Sequence, residues 1–480
     1  MGVLPALTFP QPLGSASRPP AGSAIPLKCA ALGYFNPMRM RICAFVGTRP
    51  EIIKMAPVIK GAKRRGLEIS FVHTGQHYDW EMSKRFIYEL GLPDPDPFLG
   101  VGSATHAVQT AKVMERSEEY LARERPDLVL VEGDTNSALG VALAAAKLRI
   151  PVGHVEAGCR SFDPSMPEEV NRVLIADCAS LHFAPTRDAF LNLLREGIPS
   201  DKIWLTGHPI VDLLKEMAPR IDESNVLERL GLRRGDYVLL TVHRSENVDE
   251  RAKLEGILRA ASAIGRDVVF PIHPRTKGSI ERFGLGGFLD KFLWTDPLPY
   301  LDTLALVKHA RFVMTDSGGL QQESFLLGTP CVTLRNGTEW VETVRCGANL
   351  LAGSEPGRIL DAVRRIEEGR GSIKERISGL KPYGDGEASD KIIEAAMGWL
   401  ASPRAHPLSD QLNLGPPGIR LMMSRRGIPP FSGLLFDLDG APLIPSEIEG
   451  GRGILAVIHA PESVLKLSKG RPASMGDSRP

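Results

Sequence analysis

The stretch Ile150-Pro151-Val152-Gly153-His154-Val155-Glu156-Ala157-Gly158-Cys159-Arg160 decides the fold. Ile150 to Val155 reads as a buried strand, and Glu156 follows at its carboxyl end, where open α/β sheets place ligands. The segment continues through Met166-Pro167-Glu168-Glu169-Val170-Asn171-Arg172, so four carboxylates, two arginines, a histidine and an asparagine fall within nineteen residues. Such crowding is costly for a solvated loop and points to chemistry. An ion-paired turn before a capped helix accounts for the second half of the stretch better than for the first.

Outward from this stretch, strand and helix alternate. Ile42 to Val46 is a strand, and Gly47-Thr48-Arg49-Pro50-Glu51 turns it into a helix beginning near Ile52, with amides that suit an anion and Arg49 and Lys54 beside them. Ile69 to His73 is a second strand, followed by Thr74-Gly75-Gln76-His77. A helix over about Thr105 to Arg123 leads into the continuous apolar run Asp127 to Val131, a parallel-sheet signature. That run ends in Glu132-Gly133-Asp134, where Asp134 either caps the helix Ser137 to Leu148, faces a cleft, or does both.

A second series starts after Thr206-Gly207-His208-Pro209, with strands at Tyr237–Val242, Val268–Ile272, Phe312–Thr315 and Cys331–Leu334. Two such series imply an α/β chain of two doubly wound domains with a cleft between them. The polar strand ends of the second series are His243-Arg244, His273-Pro274-Arg275 and Asp316-Ser317-Gly318-Gly319. In the last of these the glycines let amides approach a phosphate at a helix start, and Glu323, about a turn further on, suits a vicinal diol such as a ribose. Gly-Gly after Ser is equally a plain turn and cap, but cationic strand ends opposite it favour a nucleotide diphosphate.

With 480 residues, 43% hydrophobic, 24% charged and a net charge of +1, the chain has neither the charge for nucleic acid or an anionic membrane nor an apolar run long enough for a bilayer. Six cysteines without Cys-x-x-Cys spacing fit reduced thiols in a cytoplasmic protein. No Gly-x-Gly-x-x-Gly follows the first strand and no metal-ligand spacing stands out, so no cofactor and no metal are expected.

Taken together, Gly47–Glu51, Thr74–His77, Gly133–Thr135, His154–Gly158, Pro167–Glu169 with Asn171-Arg172, His243-Arg244, His273–Arg275, Asp316–Gly319 and Tyr383-Gly384-Asp385-Gly386 closely resemble the non-hydrolysing UDP-N-acetylglucosamine 2-epimerases, from about Met40 to Leu400. The resemblance implies a GT-B-like fold of two Rossmann-like domains, a UDP-sugar substrate and a homodimer, and it leaves open an effector UDP-GlcNAc near Gln76 and His77. It further implies that Asp134, Glu156, Glu168 and His243 are catalytic, and that Arg49, Lys54, Arg172, His273, Arg275, Ser317, Gly318, Gly319 and Glu323 hold the nucleotide. Trp340, where many members have Arg, and Thr303, at a position often filled by a uracil-side Phe, depart from the common pattern, and the Thr338-Glu339-Trp340-Val341-Glu342 form resembles relatives acting on 3-acetamido or uronic-acid versions of the sugar. A GT-B glycosyltransferase or a non-catalytic nucleotide-sugar sensor would share the second domain, but neither requires the carboxylates of the first.

The expected organisation is an extension over 1–39, a first domain over 40–207, a UDP-binding domain over 208–385, a helix over about 386–401 packing back on the first, and a disordered extension over 402–480. Residues 1–37 carry no acidic side chain and are read as translated ahead of a start at Met38 or Met40. Within the second extension, Leu434 to Gly440 looks like the first motif of haloacid-dehalogenase phosphatases, through Asp437 and Asp439. Ala441 replaces the usual Thr there, and the roughly forty residues that follow are too few for such a domain.

Overall fold

The computed structural model describes residues 40–76, 80–401, 419–424, 435–437, 442–443 and 454–459. The first sheet comprises β1 (Arg41–Val46), β2 (Glu68–His73), β3 (Leu128–Glu132), β4 (Val152–Val155), β5 (Leu181–Ala184) and β6 (Ile203–Leu205), all parallel, in the order β2-β1-β3-β4-β5-β6. The second is also parallel: β7 (Tyr237–Thr241), β8 (Asp267–Pro271), β9 (Leu293–Thr295), β10 (Phe312–Thr315), β11 (Cys331–Thr333) and β12 (Asn349–Leu351), in the order β12-β11-β10-β7-β8-β9. The chain is thus doubly wound twice over, with the two Rossmann-like halves of a GT-B-like fold.

Each sheet reverses its winding at one point, between β1 and β3 in the first and between β7 and β10 in the second. Connections leave in opposite directions there and open a crevice at the strands' carboxyl ends. The turns at these crevices are Gly47–Thr48 and Gly133–Thr135 in one domain, and Val242–Arg244 and Asp316–Ser317 in the other.

The central strands are apolar on both faces, as helix cover on both sides demands. β3 is buried along its whole length, and Val238, Leu239 and Leu240 of β7 have no exposure. The helix after β1 runs Arg49–Arg64 and so begins a turn before Ile52, because Pro50 at its start needs no donor partner and has its φ already set. β5, β6, β9 and β12, strands of three or four residues, went unread in the sequence, whereas the equally short β4, β10 and β11 were marked by the polar or cysteine-led runs at their ends.

Two helices tie the halves together. Pro209–Asp222 packs on both Arg49–Arg64 and Tyr300–His309, and Ala388–Ala401 returns to pack on Arg49–Arg64. Ile392 and Ile393 are buried in that return, roughly 2 kcal/mol each by area. Asp212 anchors it by accepting from the Ala388 and Ser389 amides at 3.1 and 2.9 Å. The outgoing and returning crossings touch where the His208 amide donates to the Tyr383 carbonyl at 2.9 Å.

Part of the 402–480 extension departs from the disorder expected of it. β13 (Ile419–Ser424), β14 (Leu435–Asp437), β15 (Pro442–Leu443) and β16 (Ile454–His459) pair antiparallel in the order β13-β16-β14-β15. Their apolar runs were overlooked among Pro, Gly and Arg. Asp437 closes β14, whereas Asp439, like Cys29 and His77, lies outside the described residues. Cys43, Cys159 and Cys331 are buried free thiols, and among the described residues no helix is long and apolar enough to cross a membrane.

Candidate active site

At the first crevice a buried cluster forms around Lys54. Its ammonium lies 2.9 Å from Glu132 Oε1 and 2.5 Å from Glu156 Oε2, and Glu156 Oε2 also receives His208 Nε2 at 2.7 Å. Burial alone would push both carboxyls up. For Glu156, Lys54 and His208 overcome burial and hold it well below the usual range; for Glu132, burial wins despite Lys54, and it stays well above. Two neighbouring acids are therefore driven apart, as a proton-transferring site requires. Lys54 itself is raised, because the two carboxylates outweigh its own desolvation.

The backbone is strained at this point. Glu156 has φ +68°, a left-handed conformation costing a residue with a Cβ about 1–2 kcal/mol, and it aims the carboxylate off the end of β4. Gly158 follows with φ +84°, and a Cβ there would fall 2.1 Å from the Ala189 carbonyl oxygen. His154 is structural: buried and neutral, its pKa lowered to about 4 by burial, it holds the Gly133 carbonyl at 2.8 Å.

Asp134 does not cap the following helix. Thr135 does, accepting from the Ala138 amide at 3.0 Å, and Asp134 pairs with Arg172 at 2.5 Å. Burial raises the Asp134 carboxyl in spite of that guanidinium. Arg172 also binds Glu169 at 2.8 Å, and Asn171 donates to the Asp134 carbonyl at 2.8 Å, so the Pro167–Cys178 helix clamps the Asp134 turn. Glu169 is occupied by the Ser161 and Phe162 amides, whereas Glu168 stands half-buried in the helix's first turn. Glu51, from the first motif, is buried and pushed up to about 7, binding the Gly47 amide at 2.9 Å and the Thr135 hydroxyl at 2.8 Å. It thereby joins the β1 and β3 turns. Gly47 permits that approach, since a Cβ would fall 2.0 Å from Ser137 Oγ.

In the second domain the fully buried Asp316 organises the crevice. Its carboxylate accepts the His243 and Arg244 amides at 3.1 and 3.0 Å and the Asn247 amide group at 3.0 Å, which presents the His243 ring beside the Asp316-Ser317 turn. His243 and His273 lie 5.6 Å apart, and burial lowers both. Ser317 caps the Gly318–Leu326 helix, leaving Gly318 and Gly319 in its first turn. Glu323 is buried against the Tyr300 hydroxyl at 2.6 Å and pushed up to about 7 by burial. Arg275 is turned to Asp249 at the surface, and Thr303 is turned to the Pro299 carbonyl.

The two crevices face each other. Arg49 stacks its guanidinium 3.9 Å over Phe86 and interacts electrostatically with Glu323 across the cleft. Trp340 is buried with its indole ring 5.6 Å from His208, and its indole nitrogen would lie 3.6 Å from a Cβ on Gly318. A continuous path therefore runs from Glu156 through His208 and Trp340 to the anion-ready turn. Among the described residues the indole N–H has no hydrogen-bond partner.

The family model described as UDP-N-acetylglucosamine 2-epimerase matches residues 60–397. The chain belongs to that family. Within this epimerase family, a Methanococcus maripaludis UDP-N-acetylglucosamine 2-epimerase homolog is 43% identical over 74% of this chain and 99% of its own length. A Pseudomonas aeruginosa UDP-2,3-diacetamido-2,3-dideoxy-D-glucuronate 2-epimerase is 41% identical over 74% and 99%. The crystal structure of the Methanocaldococcus jannaschii UDP-GlcNAc 2-epimerase, in complex with UDP-GlcNAc and UDP, superposes with a TM-score of 0.70 at 41% identity, covering 75% of this chain and all of that one.

Against this epimerase fold, Asp134, Glu156, Lys54 and Arg172 gather in one crevice, while His243, His273, Ser317, Gly318 and Gly319 gather in the other. Glu132, His208 and Glu339 were missed. Glu132 ends β3 two residues before Asp134, a signal the sequence did offer. Glu339 lies beside Gly318, held by Arg335 at 3.0 Å. His208, fifty-two residues beyond Glu156, gave no local sign.

Proposed function

We propose that the protein interconverts UDP-N-acetylglucosamine and UDP-N-acetylmannosamine by eliminating and re-adding UDP. The reading is carried by Glu156, buried and held ionised by Lys54 and His208 close to the anion-ready Ser317–Gly319 turn. Glu156 removes the C2 proton, the C2–H electrons form the C1=C2 bond, and the C1–O electrons leave with UDP, giving 2-acetamidoglucal. Asp134, whose carboxyl sits above its ordinary range, and Glu168 supply the proton for the opposite face. His243, Arg49 and the Gly318–Gly319 amides take up the charge that grows on the diphosphate, and His273 and Glu323 complete the nucleotide side. In deuterated water the product should carry deuterium at C2, read by NMR, with slow release of free UDP and the glycal. Epimerised product without deuterium at C2 overturns the mechanism.

A second reading is a 2-epimerase for a 2,3-diacetamido uronic-acid sugar nucleotide. It is favoured by Trp340, whose indole N–H, unpaired among the described residues, lies beside Gly318 and suits an added carbonyl. Turnover of the two sugar nucleotides compared side by side decides between them. The reading further includes a homodimer in the cytoplasm. Val170, Val173 and Leu174, 46%, 41% and 42% exposed on one face of the Pro167–Cys178 helix, support the dimer.

A further inference from the structure

We infer that His208 is a positioning residue for Glu156, holding the carboxylate in one orientation from the point where the chain crosses between its domains. The inference rests on the reading of Glu156 as the base. His208 is the N-cap of the Pro209–Asp222 helix, and its Nδ1 accepts the Ile210 amide at 3.1 Å. An Nδ1 that accepts carries no proton, so the neutral ring's hydrogen sits on Nε2 and points at Glu156 Oε2, 2.7 Å away. The tautomer is thus dictated by a helix start. Burial keeps the ring neutral even beside a carboxylate, so it donates a hydrogen bond without supplying a full charge.

Nothing about capping requires this arrangement. Ser, Thr, Asp and Asn are the preferred caps, and a wholly buried imidazole is costly unless both nitrogens are satisfied, as they are here. The ring is fixed edge-on by Trp340 at 5.6 Å and Tyr383 at 6.2 Å, one from the second domain and one from the returning crossing. Lys54 meets the same oxygen, Glu156 Oε2, from the other side, which leaves Oε1 as the atom that receives the proton. Among the described residues, the charged or titratable groups facing this pair are Lys54, Glu132, Asp134, His154, Cys159 and Asp212, with Tyr383 neutral beyond the ring.

The test compares His208→Ala and His208→Gln in the full-length enzyme. A glutamine amide takes the place of Nε2 and donates to Glu156, but it leaves the Ile210 amide uncapped. His208→Ala should lower kcat about tenfold to a hundredfold, the worth of one hydrogen bond to a charged group. Its KM should stay within about twofold and the acidic limb of its kcat/KM profile should move to higher pH. His208→Gln should recover most of kcat and the original limb while melting at lower temperature. Should the alanine variant lose UDP binding, His208→Gln decides alone, and a displaced limb there overturns the inference. Alanine with wild-type kcat and limb, or glutamine no better than alanine, also overturns it. Glu156→Gln separates the two levels: if it turns over normally the base reading itself fails, and if it is dead while His208→Ala is normal only the positioning role fails.

Discussion

Replacing Lys54 by methionine removes the cation between two buried carboxylates while keeping the length of the side chain. Lys54 is 12% exposed, Glu132 1% and Glu156 5%, so water cannot substitute for the ammonium. Stripping one partner from a buried ion pair costs about 3–5 kcal/mol, which for a domain of this size corresponds to a fall in Tm of roughly 6–20 °C. The loss should depend on pH, and its sign follows from the two acids. In the wild type the depressed Glu156 contributes stability that is present above its ordinary pKa of 4.5 and is lost as pH falls through its lower folded value. Without Lys54 burial dominates and raises Glu156 as well as Glu132. A raised carboxyl contributes most below 4.5 and loses that contribution as pH rises. Calorimetry from pH 5 to 8 should therefore find the gap between wild type and Lys54→Met widening toward pH 8, and Lys54→Met/Glu132→Gln recovering part of it. A gap of less than about 2 °C, or one independent of pH, would refute the account of the cluster.

His243→Ala and Arg49→Ala should each weaken UDP binding and turnover together, because diphosphate charge grows as C1–O breaks; calorimetric titration with UDP beside steady-state rates checks this, and unchanged turnover removes the residue from the site. Glu323 is pushed up to about 7, so its contribution to stability is full below pH 4.5 and falls as pH rises to 7. Glu323→Gln should flatten that part of the wild-type Tm profile, and two parallel profiles would contradict it.

The architecture was legible wherever the physics was local. Continuous apolar runs such as Asp127–Val131, alternating with helical periods, fit strands covered on both faces, and the polar residues at their carboxyl ends mark where a crevice opens. Asp134 was readable as both cap and site residue, yet only tertiary packing hands the cap to Thr135 and frees Asp134 for Arg172. The three-residue β6, β9 and β12 have too few side chains to carry a period and, at β6 and β9, expose part of what they have, unlike the equally short but wholly buried β11. His208 was unreadable in principle, since its partners Glu156, Trp340 and Tyr383 are brought together only by the two crossings. Arg275 was named for its type and position, and it pairs with the surface acid Asp249 while standing close enough to His243 and His273 to help lower both.

The left-handed backbone at Glu156 bears on how this enzyme responds to laboratory evolution. A library sorted for heat resistance alone would not return Glu156→Gly, although that change relieves a φ of +68°. The strain is worth about 1–2 kcal/mol, less than the roughly 3–5 kcal/mol lost when Lys54 and His208 are left without their buried partner. The kink is therefore held in place by the ion pair it serves, and enrichment data would show the position as fixed for reasons of stability alone. A designer moving this arrangement onto another parallel sheet has to transplant the kink, the cation and the imidazole together with the carboxylate.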